Sequence, residues 1–169
     1  MNGNYILNKD TLDLFDHALS LLDDSIKEFR FIAHEMIPEA LLNLGLKDAL
    51  DDLCNQISTG KELSVKFNFF GENKRFENSL EIVLYQIARE LINIAWKHAK
   101  ANEIIILVLQ EDNRIYLTAI DNGLMDVANF RDLQYIRSEV ESFKGSIKIN
   151  VQSGKGNEIG VEFEILKTD

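Results

Sequence analysis

Apolar residues recur every three or four positions from Leu12 to Met36, without a break. This spacing is the a/d pattern of a helix that packs along a narrow seam, as in coiled coils and helical bundles. Further apolar residues along one flank favour a bundle of more than two helices. Pro38 is expected to break this helix, because proline lacks the backbone donor and clashes with the preceding turn. A second, shorter helix with one apolar side is predicted over roughly 39–57.

The rest of the chain switches between strand and helix periods. Residues 61–69 place apolar side chains at every second position, as a half-buried strand does. The next predicted elements are a central helix from Ser79, antiparallel strands at 103–110 and 114–120, a helix at about 129–143, and two final strands, SIKINVQ and EIGVEFEIL. This order predicts the α/β class, as a two-layer α/β sandwich with helices on one mixed sheet. The long bundle helix precedes it at the N-terminus.

The stretch from Ser79 to Leu109 is the centre of this prediction. Its first half keeps one helix face apolar at i, i+3, i+4 and i+7 spacing. Its second half, IIILVL, is a β-branched run of strand length. The helix face predicted to be buried consists of Leu80, Val83, Leu84, Ile87, Leu91, Ile94, Ala95 and His98.

Composition narrows the class of protein. The chain has 169 residues, 46% hydrophobic and 27% charged, as a globular protein does. A net charge of -10 argues against binding to nucleic acid or to anionic membranes, which need clustered Lys and Arg. No apolar run approaches the ~20 residues that span a bilayer. The single cysteine, Cys54, fits a reducing compartment and a buried position on a helix. We therefore expect a cytoplasmic protein without membrane insertion.

The segment ARELINIAWKHAKANEI is similar to the N-box helix of the GHKL ATPases, specifically of sensor histidine kinases, which reads E-L-x-N-N-A-x-K-H-A. The resemblance implies that Glu90 handles the proton of the attacking group. It also implies a magnesium-binding Asn four residues later, but this chain has Ile94, which offers no oxygen to the metal. Asn93 is rotated about 100° away from Glu90 on a helix and does not replace that Asn easily. The N-box register would place Lys97 and His98 near nucleotide phosphates.

Two glycine motifs of the same family have altered counterparts here. Asp121-Asn122-Gly123 aligns with the start of D-x-G-x-G, whose Asp binds the adenine amino group, and Met125 replaces the second glycine. The alternative is that D-N-G is an ordinary turn. FRDLQYIR, residues 130–137, aligns with G-x-G-L-x-N-I-R, and its two glycines become Phe130 and Asp132. The final QSGKGNEIGVEFEI resembles the closing G-x-G-T hairpin, with its last polar residue altered to Glu158 after Asn157. These changes remove groups that cradle phosphates.

The N-terminal segment LLDDSIKEFRFIAHEMIPEALLNLGLKDALDDLC is also similar to a family. It resembles the end of the second helix of the dimerisation and phosphotransfer domain, and the following connector, in histidine kinases of the NarL-partner type. His34, followed by Glu35 on the outer face of the helix, has the arrangement of a phosphoacceptor. The alternative is a surface histidine, and the first helix of such a domain has no counterpart. The predicted domains are 1–57, dimerisation-like helices and connector, and 58–169, an ATPase-like domain of the GHKL or Bergerat type.

These resemblances predict a two-component signalling protein similar to the C-terminal part of a sensor histidine kinase. The leading interpretation is a pseudokinase that acts as a regulatory or binding module, with no cofactor. One alternative is an ATP-binding kinase domain that tolerates its motif changes and uses ATP and magnesium, with Glu90 as catalytic residue. Another is a histidine phosphotransferase that uses His34. The expected partners are a second copy of the chain, or a cognate histidine kinase or response regulator.

Overall fold

The computed structural model describes residues 14–15, 17–22, 25, 38–59, 62–124, 133–152 and 155–165. The chain divides into two compact units, Met1–Pro38 and Glu39–Asp169. The predicted domain division after residue 57 falls inside the second unit and stays a prediction.

In the first unit, all of the described residues from 14 to 25 are helical, as the apolar spacing predicts. Ser25 Oγ donates a hydrogen bond to the Leu21 carbonyl oxygen at 2.8 Å, one turn earlier. The apolar side chains on this helix are exposed, among them Leu14 at 75% and Leu22 at 57%. The rest of the predicted seam, from 26 to 37 and including His34, lies outside the described residues.

The second unit opens with two helices, α1 (Glu39–Leu44) and α2 (Leu46–Ile57). The single helix predicted over 39–57 is therefore wrong, and Gly45 is the reason. Its φ of 96° lies in the left-handed region, where an α-helix does not continue. The Gly45 N–H donates to the Leu41 carbonyl oxygen at 3.1 Å, which closes the first helix. Cys54 is buried on α2, as predicted.

The sheet has five strands in the order β1-β2-β3-β5-β4, with β1 parallel to β2 and all other pairs antiparallel. Its elements are β1 (Ser64–Gly71), α3 (Asn78–Asn93), a π-helical turn (Ile94–His98), β2 (Glu103–Gln110), β3 (Arg114–Asp121), α4 (Leu133–Ser142), β4 (Ser146–Gln152) and β5 (Gly156–Glu164). Alternate residues of the central strands are buried against the helices, which makes two layers. Compared with the sequence prediction, β1 is shifted two to three residues towards the C-terminus and β5 begins earlier, at Gly156.

The central helix changes type near its end. It was predicted to continue as one apolar face through His98, but the α-helix ends at Asn93 and a π-helical turn follows. In that turn the Ala99 N–H donates to the Ile94 carbonyl oxygen at 3.1 Å, five residues back. A π-helical turn contains more residues than an α-helical turn, so the side chains after it point in other directions than α-helical spacing predicts. His98 is therefore exposed, whereas the seven apolar residues predicted with it are buried.

An ion pair between the exposed Arg75 and the buried Glu81 links α1 to the start of α3. Arg75 Nε donates to both carboxylate oxygens of Glu81, at 2.9 and 3.0 Å, and Glu81 is only 2% exposed. The same guanidinium reaches the carbonyl oxygens of Leu41 and Leu42, each at 3.4 Å, at the end of α1. The Leu41 carbonyl also accepts from the Gly45 N–H, so Arg75 adds donors at a helix end whose last carbonyls have few partners within the helix. We use the name connector clasp for this group, which consists of Arg75, Glu81 and the Leu41 and Leu42 carbonyls at the end of α1.

Candidate functional site

Three segments with motif residues meet at one end of the sheet. The π-helical turn contacts the turn after β3, because the Leu124 N–H donates to the Ala99 carbonyl oxygen at 2.8 Å. A Cβ on Gly123 would lie 2.5 Å from that same oxygen, so only glycine fits this approach. The start of β5 joins them, because Asn157 Nδ2 donates to Asp121 Oδ1 at 2.8 Å. The structure therefore brings the N-box segment and Asp121-Asn122-Gly123 together.

Asp121 is buried and already holds internal hydrogen bonds. Its Oδ1 accepts from the Gly123 N–H at 2.8 Å and from Asn157 Nδ2. The first of these is the Asx-turn bond of an ordinary D-N-G turn, which was the alternative to a nucleotide contact. One oxygen of this carboxylate is thus committed to the protein itself.

Asn122 fixes the same turn to the start of β2. Its Oδ1 accepts from the backbone N–H groups of Asn102 and Glu103, both at 3.1 Å. Its Nδ2 donates to Asn102 Oδ1 at 2.7 Å. The turn after β3 is therefore fixed by two sets of side-chain hydrogen bonds. Asp121 bonds within the turn, and Asn122 bonds to the segment that leads into β2.

Asn157 is the residue of this site that sequence reasoning did not assign. It is 3% exposed, and its Nδ2 donates to Asp121 Oδ1 and, at 3.3 Å, to the Gly123 carbonyl oxygen. Both partners are acceptors, so the amide has one possible orientation. Its Oδ1 is buried and has no hydrogen-bond partner among the described residues. The position directly after G-x-G in the closing hairpin is the sequence signal that marks it.

The N-box residues do not form a magnesium site. Glu90 is half-buried, and the Ile94 N–H donates to its carbonyl oxygen, so the two residues lie on successive turns as predicted. Ile94 is 2% exposed and belongs to the hydrophobic core. Asn93 is half-buried, and its Oδ1 has no hydrogen-bond partner within the described part of the chain. A hard cation needs several oxygens around it, and a core isoleucine gives none. Ile94 therefore offers a metal no oxygen at the position where the related motif has its magnesium-binding amide.

Lys97 is half-buried and His98 is exposed, and both lie in the π-helical turn. Met125, Phe130 and Asp132 lie outside the described residues. The described remainder of their motif forms α4, where Leu133 and Ile136 are buried. These retained residues pack the helix, as the sequence comparison indicated.

Tyr135 occupies the position where the related motif has Asn. Its hydroxyl donates to Gln86 Oε1 on α3 at 3.4 Å. Partial burial raises the pKa of this phenol, and the nearby Glu139 carboxylate adds to the rise. Tyr135 therefore stays neutral at physiological pH and ties α4 to α3.

The chain is similar to known sensor histidine kinases. The nitrate/nitrite sensor protein NarX of Escherichia coli K12 is 32% identical over 129 residues, which are 73% of this chain and 22% of NarX. The sensor histidine kinase MctS of Rhizobium johnstonii is 27% identical over 143 residues, which are 80% of this chain and 31% of MctS. No protein-family model matches the chain.

The catalytic domain of the histidine kinase ThkA superposes with a TM-score of 0.53 at 14% identity, covering 73% of this chain and 91% of that domain. The fold is therefore that of a histidine kinase catalytic domain, and the predicted two-layer α/β class is confirmed. Together with the sequence matches, it identifies this chain as a relative of the C-terminal region of GHKL-type sensor histidine kinases. The chain spans about a fifth to a third of the length of these curated relatives. None of the helices that the structure describes is long and apolar enough to cross a bilayer.

Proposed function

We propose that this chain is a regulatory module of two-component signalling that has the ATPase-like fold but not magnesium-ATP phosphoryl transfer. The observation that carries the proposal is Ile94, which lies in the core at the position where the family has its magnesium-binding amide. Phosphoryl transfer depends on a metal that neutralises the charge of the phosphates. Without that ligand, Glu90 has no positioned phosphoryl group on which to act.

The polar pair Asp121 and Asn157 supports the same proposal. In a nucleotide-binding relative the Asp would receive the adenine amino group, but here Asn157 donates to one of its oxygens from within the protein. The pair therefore stabilises the junction between β3 and β5. We assign it a structural role in a module that binds other proteins.

The partners we propose are a second copy of the chain, a cognate histidine kinase or its response regulator, in the cytoplasm. The exposed seam residues of the first unit support a helical partner. The phosphotransferase alternative depends on His34, which lies outside the described residues, and we do not adopt it.

A nucleotide titration tests the proposal. Thermal unfolding of the full chain is measured with millimolar ATP, in the presence of magnesium and in the presence of a chelator. A functional site would stabilise the protein by about 2.7 kcal/mol at a hundredfold excess of ligand over Kd. We expect no magnesium-dependent rise in melting temperature.

The matched control is Asp121→Asn, which keeps the shape of the side chain and removes the carboxylate. A magnesium-dependent rise that disappears in Asp121→Asn would show that this site binds nucleotide. That result would replace the pseudokinase proposal with the ATP-binding alternative.

A further inference from the structure

The face of the sheet that points away from the helices is apolar at its centre. We call this surface the outer patch, and it consists of Phe70, Ile105, Leu107, Leu109, Tyr116, Thr118 and Ile120. Phe70 is 56% exposed, Leu109 40% and Ile120 37%. A sheet with one solvated face normally alternates apolar and polar residues, whereas a continuous apolar run such as IIILVL is typical of strands covered on both faces. The run therefore indicates that something covers the outer patch.

On this face, paired residues of β1, β2, β3 and β5 form rows that run across the strands. The midline of the four strands lies between β2 and β3. The three rows are Lys66–Ile105–Ile120–Glu158, Asn68–Leu107–Thr118–Gly160 and Phe70–Leu109–Tyr116–Glu162. The apolar residues lie in the middle, with a lysine at one edge and glutamates at the other.

We propose that the outer patch binds a second copy of this chain, face to face, around a twofold axis that runs parallel to the strands along the midline. Such an axis places β1 of one copy opposite β5 of the other, and β2 opposite β3. Lys66 then faces Glu158 of the second copy, and Ile105 faces Ile120 of the second copy. Because the axis is twofold, each of these contacts forms twice.

The charges favour a second copy over an unrelated partner. Lys66 and Glu158 are both exposed and lie in the same row on opposite sides of the midline. A partner with one sign of charge would match one edge of the patch and be repelled by the other. A second copy rotated by the twofold axis matches both edges.

The other rows are compatible with this arrangement. Gly160 has no side chain, so it leaves room for Asn68 of the second copy. Glu162 is already paired with Arg114, whose Nη1 donates to Glu162 Oε1 at 2.7 Å. Phe70 of the second copy therefore faces an ion pair without net charge, and the Arg114 guanidinium can lie over the Phe70 ring.

The size of the patch places the proposed interface among the small, transient ones. Four strands spaced about 4.8 Å apart and three rows spaced about 7 Å apart cover about 400 Å² on each copy. The total of about 800 Å² is below the 1,200–2,000 Å² or so of a stable complex. We therefore expect a weak and reversible dimer rather than a permanent one.

Charge exchange tests the pairing in the full chain, with molecular mass followed against concentration by sedimentation. Lys66→Glu and Glu158→Lys should each weaken the association at least tenfold. The double variant should recover to within about threefold of the wild type, because the two charges exchange places. An equimolar mixture of the two single variants should associate more tightly than either alone. The control is Lys47→Glu, the same charge change at an exposed position of α2 in the helix layer on the other side of the sheet, which should leave the Kd unchanged.

Residue-specific cross-linking checks the geometry. Lys66→Cys chains are mixed with Glu158→Cys chains and treated with a bismaleimide that spans about 10 Å, the spacing of packed sheets. The native Cys54 does not compete, because it is 1% exposed and burial raises the pKa of its thiol to about 12. Cross-linked dimer should form in the mixture and not in either variant alone.

Three results would each overturn the proposal. The first is charge variants that associate like the wild type, and the second is a wild type that shows no association at several hundred micromolar. The third is a cross-link between two Lys66→Cys chains that is as abundant as that in the mixture. An association through the N-terminal helix would respond to neither Lys66 nor Glu158, so it does not imitate the expected pattern.

Discussion

Asp121 and Asn157 are paired residues on β3 and β5, and each supports a different part of the candidate site. Asp121 Oδ1 holds the turn to Gly123, and Asn157 Nδ2 bridges that oxygen and the Gly123 carbonyl. A buried polar group that loses its partner costs about 1–3 kcal/mol, so the pair is stabilising only as long as both members are present. The local backbone therefore depends on these two side chains.

Replacing Asn157 with Ala should lower the free energy of unfolding by about 1–2 kcal/mol, because Asp121 and Gly123 each lose a donor. Loss of the unpartnered Asn157 Oδ1 offsets part of the cost. Urea unfolding measures the change. The control is Asn150→Ala on the exposed face of β4, where a change within about 0.5 kcal/mol is expected. Equal stability of the two variants would contradict the role assigned to the pair.

At the scale of single residues, the sequence was most informative at the positions that a family motif names. Asp121, Gly123 and the loss at Ile94 were recognised, because the motifs name those positions. Asn157 was overlooked as a site residue, since its role depends on the pairing of β3 with β5. The exposure of His98 was not predicted either, because helical periodicity assumes a constant number of residues per turn.

At the scale of elements, Gly45 and the connector clasp define how α1 and α2 meet the sheet domain. A Cβ on Gly45 would lie 2.8 Å from Arg75 Cδ, so the glycine turn and the clasp occupy the same space. The clasp in turn holds the buried Glu81 carboxylate at the start of α3. The short helices and the central helix are therefore fixed by one small group of residues.

Gly45→Ala should destabilise the protein by about 1–3 kcal/mol, because alanine is strained at positive φ and its methyl group displaces Arg75. The free energy of unfolding from urea titration tests this. Gly160→Ala is the matched control, since Gly160 lies in a strand, without a positive φ, and its nearest neighbour would be the movable Thr118 side chain at 3.2 Å. If the control lost as much stability as Gly45→Ala, the conformation at Gly45 would not be the cause.

The sequence predicted most elements because their apolar periods are regular. Strands β2 and β3 and the buried face of α3 follow alternation and helical spacing closely. The break at Gly45 was missed because apolar spacing continues across it. The π-helical turn was missed because the turn after β3, which is distant in sequence, holds it through Ala99. The first exception is set by the backbone conformation of one glycine and the second by a tertiary contact, and apolar spacing contains neither.

At the scale of the whole molecule, the two units offer different surfaces for association. In the first unit the exposed apolar residues Phe15, Leu19 and Leu22 lie along the predicted seam. In the second unit the outer patch offers a flat sheet face. A helical seam and a sheet face bind by different geometries, so each can be removed by substitutions that leave the other in place.

The last prediction is that the double change Leu22→Asp with Ile26→Asp abolishes association through the N-terminal helix and leaves the second unit folded. Ile26 lies outside the described residues, and its place on the seam rests on the sequence. The predicted seam has eight positions, Leu12, Phe15, Leu19, Leu22, Ile26, Phe29, Ala33 and Met36. Burying a Leu, Ile or Phe side chain contributes about 1.5–3 kcal/mol, so half of these positions outweigh the several kcal/mol lost on association. Light scattering at chain concentrations too low for the outer patch to associate should show the loss of the associated species, while the urea transition of the sheet domain stays unchanged.

The control for the seam is His17→Asp with Ser20→Asp, which adds negative charge on the outer side of the same helix. This variant should associate as the wild type does, because neither residue lies on the a/d seam. A four-helix arrangement of two copies needs two helices from each chain, so the bundle of a cognate kinase is a competing partner for the predicted seam helix. Capture of such a bundle by the wild type, but not by Leu22→Asp with Ile26→Asp, would establish that partner. A wild-type chain that neither forms seam-dependent oligomers nor captures a kinase helix would show that the helix has no such role.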